Sequence, residues 1–173
     1  MRLLLSAAQI ATRLDELGRE LSIAYHGRPL TVVGVLSGSL LFLADLMRKL
    51  DVPHQVGFLQ ASSYRSGTKA GELSVNREYF PDVAGRDVLL IDDIFDTGNT
   101  LGTLLELLRA ARPNSLRSAV LLWKEGTQRV ELRPDFCGFK IPNEFVVGYG
   151  LDHNQNHRHL PYIAVLEAGD FLR

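Results

Sequence analysis

Between Val88 and Leu108 the chain changes its hydrophobic period within a few residues. Val88-Leu-Leu-Ile91 is a continuous apolar run of strand length, Leu101, Leu104, Leu105 and Leu108 fall at helical spacing, and Asp92 to Thr100 lies between them. An unbroken apolar run is the pattern of a strand covered on both faces, and an i, i+3, i+4, i+7 stripe that of a helix packed on one side. The same order stands earlier in the chain. Leu30 to Leu36 reads as a buried strand, Ser37-Gly38-Ser39 as a tight turn, and Leu43, Leu46, Met47 and Leu50 as a helical stripe. Further strands are expected over Val56 to Ala61, Ala119 to Trp123, Phe145 to Tyr149 and Ile163 to Leu166. Ser6 to Ile23 carries Ile10, Leu14, Leu17 and Leu21 at helical spacing, and Ser6 with Gln9 has the form of a capping box. The expected class is therefore α/β, an open, mostly parallel twisted sheet flanked by helices. Ligands in such sheets bind beyond the carboxyl ends of the strands, where both polar turns fall.

With 173 residues, 46% of them hydrophobic, the chain supports one core and one domain over residues 1–173. Nineteen Lys and Arg against twenty Asp and Glu give a formal net charge of −1, which leaves no general field for nucleic acid or an anionic membrane. The single cysteine, Cys137, has no internal disulfide partner and sits among Phe136, Gly138 and Phe139, as a small buried hydrophobe does. A reducing, cytoplasmic setting is expected. Arg2 before Leu3-Leu4-Leu5 is too short an apolar stretch for an export signal, and no membrane span is expected. Ser62 to Pro81 reads as one long irregular polar segment, a candidate lid.

The segment from Asp92 to Thr100 combines two opposed chemistries. Backbone N–H groups at a helix start, with the Thr97 and Thr100 hydroxyls beside them, can cradle a phosphate, and Gly98 permits the close approach this needs. Asp92 and Asp93 would repel that anion unless they serve sugar hydroxyls or a cation, so a phosphorylated sugar satisfies both halves. Taken alone, Asp96 would be an N-cap and the acidic pair a solvated face; Phe145 would be a core residue and Lys124 a surface lysine. His153, His157 and His159 share one hydrophilic segment without a cysteine partner and are read as solvated, not as zinc ligands.

The whole string of strand, Asp92-Asp93, Ile94-Phe95, Asp96-Thr97-Gly98-Asn99-Thr100 and helix resembles the phosphoribosyl pyrophosphate signature of the type I phosphoribosyltransferases. Pro134 to Pro142 with Phe145 to Asp152 is similar to the hypoxanthine-guanine branch. So are Gly34 to Ser39, the helix at Phe42 to Leu46, Ser63-Tyr64, Lys124, and Leu160 to Ile163, so the resemblance runs nearly end to end. It implies a sheet core over about 25–130, a hood made by the N-terminal segment and about 131–173, and a lid over about 62–81 that includes Ser63 and Tyr64. It also implies that Ser37, Gly38, Asp92, Asp93, Asp96, Thr97, Gly98, Asn99, Thr100 and Arg158 bind phosphoribosyl pyrophosphate. Lys124 would bond the six-position oxygen of a purine, Phe145 would stack on the ring, and Val146 would meet it through its backbone, with Asp152 nearby. Asp92, Asp93 and Asp152 would hold magnesium, and Asp96 would be the acid-base residue.

By that resemblance the reaction joins hypoxanthine or guanine to the ribose of phosphoribosyl pyrophosphate, releasing pyrophosphate. The expected assembly is a homodimer or homotetramer, with no nucleic-acid or membrane partner. The alternatives are a xanthine-preferring transferase and a non-catalytic regulator that senses phosphoribosyl pyrophosphate. Two departures stand out. Ser37 occupies a position where relatives carry a basic residue, in a turn with a cis peptide before it, and Asp92-Asp93 replaces a Glu-Asp pair, which shortens one carboxylate by a methylene.

Overall fold

A computed structural model of the chain describes residues 1–63, 73–76 and 80–170. The elements run β1 (Arg2–Leu5), α1 (Ala7–Ala24), β2 (Leu30–Leu36), α2 (Leu40–Met47), β3 (His54–Ser63) and β4 (Leu73–Asn76). They continue as β5 (Asp87–Phe95), α3 (Asn99–Ala110), β6 (Ser115–Lys124), β7 (Phe136–Ile141), β8 (Val146–Val147) and β9 (Ile163–Val165). One sheet has the order β4-β3-β2-β5-β6-β7, and a smaller one the order β1-β9-β8. All pairings in the large sheet are parallel except β3 with β4, and those in the small sheet are antiparallel. This is the expected mostly parallel α/β architecture.

The period-two geometry of a strand explains why the central runs are apolar at every position. Val32, Leu89 and Ile91 turn to one face, where they meet Ile10, Leu14 and Leu17 of α1 and Phe42 and Leu46 of α2. Val33, Val88 and Leu90 turn to the other, against Leu101, Leu104, Leu105 and Leu108 of α3. Helix α1 starts at the capping box, Ser6 Oγ accepting from Gln9 N at 3.3 Å and Gln9 Oε1 accepting from Ser6 N at 2.9 Å.

Register then brings the functional ends together. Leu30 pairs with Asp87 and Asp87 with Ser115, so the last residues of β2, β5 and β6 leave the sheet at one edge. Strand β5 continues four residues beyond the apolar run, so Asp92 and Asp93 are strand residues, Asp92 standing opposite Val120. They do not belong to the turn, as the sequence pattern had suggested.

Four other segments differ from expectation. Ser62 to Pro81 is not irregular throughout: β3 extends to Ser63, and Leu73–Asn76 pairs back on it, with Gln60 opposite Asn76. The strand expected over Phe145 to Tyr149 is only Val146–Val147, because Gly148 (φ 97°) and Tyr149 (φ 49°) turn the chain out of the sheet. Arg2–Leu5 forms a strand through its pairing with β9. Phe136–Ile141 joins the large sheet beside β6, and Arg13 of α1 donates to the carbonyls of Gly138 (3.0 Å) and Cys137 (2.9 Å), covering part of that open edge. The terminal sheet thus takes its C-terminal strands from residues 146–147 and 163–165.

Candidate active site

Two turns meet at the carboxyl edge of the sheet. In the turn between β5 and α3, Gly98 adopts φ +87°, a conformation that an L side chain rarely takes. A β-carbon there would also stand 2.3 Å from Val130 Cγ2 and 3.1 Å from Phe95 Cε2. The glycine is therefore required by backbone and packing together, not only by ligand approach. Gly98 is also the N-cap of α3, with no side-chain cap bond. Asp96 has a different partner: its Oδ2 lies 3.1 Å from Lys124 Nζ. Lys124 is 11% exposed and Asp96 42%, so the lysine is a largely covered partner at the end of β6, and the carboxylate keeps a face toward solvent.

The carbonyls of this turn are held from behind. Thr127 Oγ1 (3.0 Å) and Gln128 Nε2 (3.1 Å) donate to Asp96 O, and Arg129 N donates to Thr97 O at 2.9 Å. These residues lay outside the sequence expectations, and the polar run Glu125-Gly-Thr-Gln-Arg129 after a strand was their only signal.

In the first turn the Leu36-Ser37 peptide is cis, as the resemblance implied. Ser39 Oγ donates to Val35 O at 2.6 Å, and Leu40 N to Ser37 O at 3.2 Å. Gly38 leaves no room for a side chain: a β-carbon would stand 1.7 Å from Asp93 Oδ2. One β-carbon on Gly150 would likewise stand 2.1 Å from Gly38 O, so the turn is pinched between the acidic pair and the segment that follows β8.

Asp92 is almost fully buried. Burial pushes both carboxyls of the pair up, that of Asp92 well above the ordinary range with the charge of Asp93 adding to it. Hydrogen bonds and the nearby Arg158 offset part of the effect at Asp93. Asp92 Oδ1 accepts from Asp93 N at 3.0 Å, and Asp93 Oδ1 from Ile94 N at 2.8 Å. Arg158 donates to Gly150 O at 2.7 Å and pairs with Asp152 Oδ1 at 2.8 Å, while Asp152 Oδ2 accepts from Gln155 N at 2.8 Å.

A cavity of about 440 Å³ lies between the two turns. Ser37, Gly38, Asp92, Asp93, Asp96, Thr97, Gly98, Thr100 and Arg158 line it, as do Asp152 and the unanticipated Gln155. Asn99, the exposed first residue of α3, is the one expected phosphoribosyl residue outside that lining. Lys124, Phe145 and Val146 do not line it either. Lys124 adjoins it through Asp96; Phe145 is 45% exposed with its ring edge-on to His153 at 5.4 Å; Val146 is buried in β8. Ser63 ends β3, and Tyr64 lies outside the described residues.

The lining carries four carboxylates, of Asp92, Asp93, Asp96 and Asp152, against one guanidinium, that of Arg158. Among the described residues no group of three or more His, Cys, Asp or Glu side chains is placed to hold a metal ion by itself. No helix of the described residues is long and apolar enough to cross a membrane.

Comparison with known proteins agrees with this geometry. Residues 4–154 match the family model of the phosphoribosyl transferase domain. The hypoxanthine phosphoribosyltransferase of Salmonella typhimurium is 42% identical over 166 residues, covering 94% of this chain and 93% of that protein. A bifunctional TilS/HprT protein of Listeria monocytogenes is 42% identical over 96% of this chain, which spans only 26% of its length. Among solved structures, a hypoxanthine phosphoribosyltransferase from Staphylococcus aureus superposes with a TM-score of 0.90 at 39% identity, covering 96% of this chain and 91% of that one. The chain belongs to the phosphoribosyltransferase family, on its hypoxanthine branch.

Proposed function

We propose that the chain transfers the 5-phosphoribosyl group of phosphoribosyl pyrophosphate to hypoxanthine or guanine, giving the purine nucleotide and pyrophosphate. The observation that carries this reading is the half-exposed Asp96 carboxylate, paired with Lys124 at the mouth of a cavity that has the acidic pair on one wall and the Thr97-Gly98 turn on another. A phosphorylated sugar matches both walls: the turn's N–H groups and the Thr97 and Thr100 hydroxyls take the 5-phosphate, and Asp92 and Asp93 take the ribose hydroxyls.

The bond from the anomeric carbon to pyrophosphate breaks, and a bond to the purine nitrogen forms. Asp96 accepts the proton leaving that nitrogen, and returns it in the reverse direction. Lys124, as a cationic donor, favours a carbonyl at the purine six-position over the amino group of adenine. Arg158, which lines the cavity beside Asp152 and Gln155, would supply positive charge to the leaving pyrophosphate.

Magnesium fits these residues. A buried acidic pair disfavours its own ionised state, and a lining of four carboxylates with one guanidinium suits a hard cation better than a polyanion alone. Asp92, Asp93 and Asp152 would hold it, and bound there it would neutralise charge on the pyrophosphate.

Pyrophosphate release tests the reading directly, with phosphoribosyl pyrophosphate, magnesium and each of hypoxanthine, guanine and xanthine. Turnover is expected with hypoxanthine or guanine. Turnover with xanthine alone would reassign the base, and binding of phosphoribosyl pyrophosphate without release for any base would leave a sensor in place of an enzyme.

A further inference from the structure

The segment that follows β6 connects the two halves of the site through two adjacent side chains, Thr127 and Gln128. Gln128 Nε2 donates to Asp96 O at 3.1 Å and also to Lys124 O, while the one proton of the Thr127 hydroxyl is shared between the same two carbonyls, at 3.0 Å from Asp96 O and 3.3 Å from Lys124 O. The amide orientation is not arbitrary. With two carbonyl oxygens as neighbours, only the NH2 end of Gln128 can face them; its Oε1 would meet two acceptors. Gln128 is half-buried, so these bonds are partly shielded from competing water.

Such anchoring has a directional consequence. In a planar trans peptide the C=O of one residue and the N–H of the next point in opposite directions. Fixing Asp96 O toward Thr127 and Gln128, and Thr97 O toward Arg129 N at 2.9 Å, turns the Thr97 and Gly98 N–H groups away from the clamp. That is the side on which Thr97 and Gly98 line the cavity. At the same time the bond to Lys124 O sets the backbone from which the lysine reaches Asp96.

We infer that Gln128 is a positioning residue that couples the phosphate turn to the purine-reading lysine, so that one side chain remote from both substrates governs the affinity for each. The inference rests on the proposed activity and names a residue outside the groups assigned to it.

The test uses the full chain in steady-state assays of pyrophosphate release, varying phosphoribosyl pyrophosphate and hypoxanthine in turn. Gln128→Met keeps length and removes the donors without adding charge. It is expected to raise KM for both substrates together, each by about tenfold, equivalent to about 1.4 kcal/mol. Gln128→Arg, which can again donate to two carbonyls, should recover most of that loss. Lys124→Ala is the comparator and should raise the hypoxanthine KM with little change for phosphoribosyl pyrophosphate. Thr127→Val removes the one donor shared between the same two carbonyls with little change of shape, and is expected to move both KM values in the same direction by a smaller factor.

A merely structural role would lower the melting temperature and leave both KM values unchanged at a permissive temperature; that outcome, or a change in only one KM, overturns the coupling. If Gln128→Met does not fold, the decision passes to Thr127→Val and Gln128→Arg on the same criteria. Wild-type protein that turns over no purine would instead overturn the proposed activity, which keeps the two failures distinct.

Discussion

The turn from β2 into α2 and the turn from β5 into α3 both bring small residues to the carboxyl edge of the sheet, and they are fastened in opposite ways. The first is held largely by its own neighbours: Ser39 Oγ reaches back four residues to Val35 O, and Leu40 N bonds Ser37 O. The second is held from a distance, by Thr127, Gln128 and Arg129, about thirty residues further along the chain. Their glycines differ too. Gly38 makes room for the carboxylate of Asp93, whereas Gly98 satisfies a left-handed backbone packed on Val130. On the proposed activity, the locally fastened turn would face the pyrophosphate end of the substrate and the remotely fastened one would register both substrates.

The sharpest break in this comparison is predicted at Asp96, in the second turn. Because Gly98, not Asp96, caps α3, replacing the carboxylate does not uncap the helix. The Asp96→Asn protein should fold with a loss of about 1–2 kcal/mol, since the asparagine oxygen can still accept from the largely covered Lys124 although the opposite charge is gone. Its turnover number should fall by about two to four orders of magnitude, the usual contribution of general acid-base catalysis, with phosphoribosyl pyrophosphate still bound. A folded Asp96→Asn protein with near-normal kcat would move the acid-base role elsewhere.

The two glycines give the next contrast. Gly38→Ala puts a β-carbon onto Asp93 Oδ2, so the carboxylate must move. Affinity for phosphoribosyl pyrophosphate should drop by about tenfold or more, equivalent to at least about 1.4 kcal/mol. Gly98→Ala should show mainly as lost stability, about 1–2 kcal/mol for a left-handed alanine, read as a lower melting temperature. If Gly98→Ala weakened substrate binding more than Gly38→Ala, the division of labour between the turns would be reversed.

A smaller effect is expected from Asp92, on the wall between the turns. Burial raises the proton affinity of its carboxyl in the folded state, and Asp93 raises it further. A group with a raised folded value contributes stability that is fully present below its unfolded value, about 3.9, and lost as pH rises through the folded one. Asparagine escapes that loss. Asp92→Asn should therefore melt a few degrees above wild type at pH 7 in a magnesium-free buffer, with the gap closing toward pH 4. Saturating magnesium should narrow the gap at neutral pH by stabilising only the wild type. A gap that widened on acidification would contradict the burial of the pair.

Much of this was legible in the chain because the signals are local. The apolar runs of β2 and β5, the leucine stripe of α3 and the Ser6-Gln9 box depend on residues a few positions apart, and each element formed where its pattern stood. The cavity lining from Asp92 to Thr100 was legible for the same reason, save Asn99. Strands β1 and β7 escaped because their apolar stretches, Leu3 to Leu5 and Phe136 to Phe139, are short, and pairing with β9 and β6 makes them strands. Strand β4 is an edge whose alternation in Leu73-Ser-Val-Asn76 is brief. Gln128 and Gln155 were invisible because neither carries a motif. Each acts through a backbone or side chain that only the fold brings near.

The smallest predicted effect lies in the local fastening of the first turn. Ser39 is fully buried, and its hydroxyl donates to Val35 O at 2.6 Å across the start of α2. Ser39→Ala removes that single neutral hydrogen bond, with an expected cost of about 1 kcal/mol. In a chain of this size that is about 2–4 °C of melting temperature. Val35 remains paired in the sheet opposite Leu59, and Gly38 stays pinched between Asp93 and Gly150, so the turn keeps its position without the hydroxyl. The kinetic constants of Ser39→Ala should accordingly stay within about twofold of wild type at a temperature where both proteins are folded. The paired measurement with Gln128→Met makes the contrast quantitative: a local fastener should alter the melting temperature and spare both KM values, and a remote one should do the reverse. If Ser39→Ala raised the KM for phosphoribosyl pyrophosphate as much as Gln128→Met does, the first turn would need its own hydrogen bond to present Ser37 and Gly38, and local fastening could no longer be distinguished from remote.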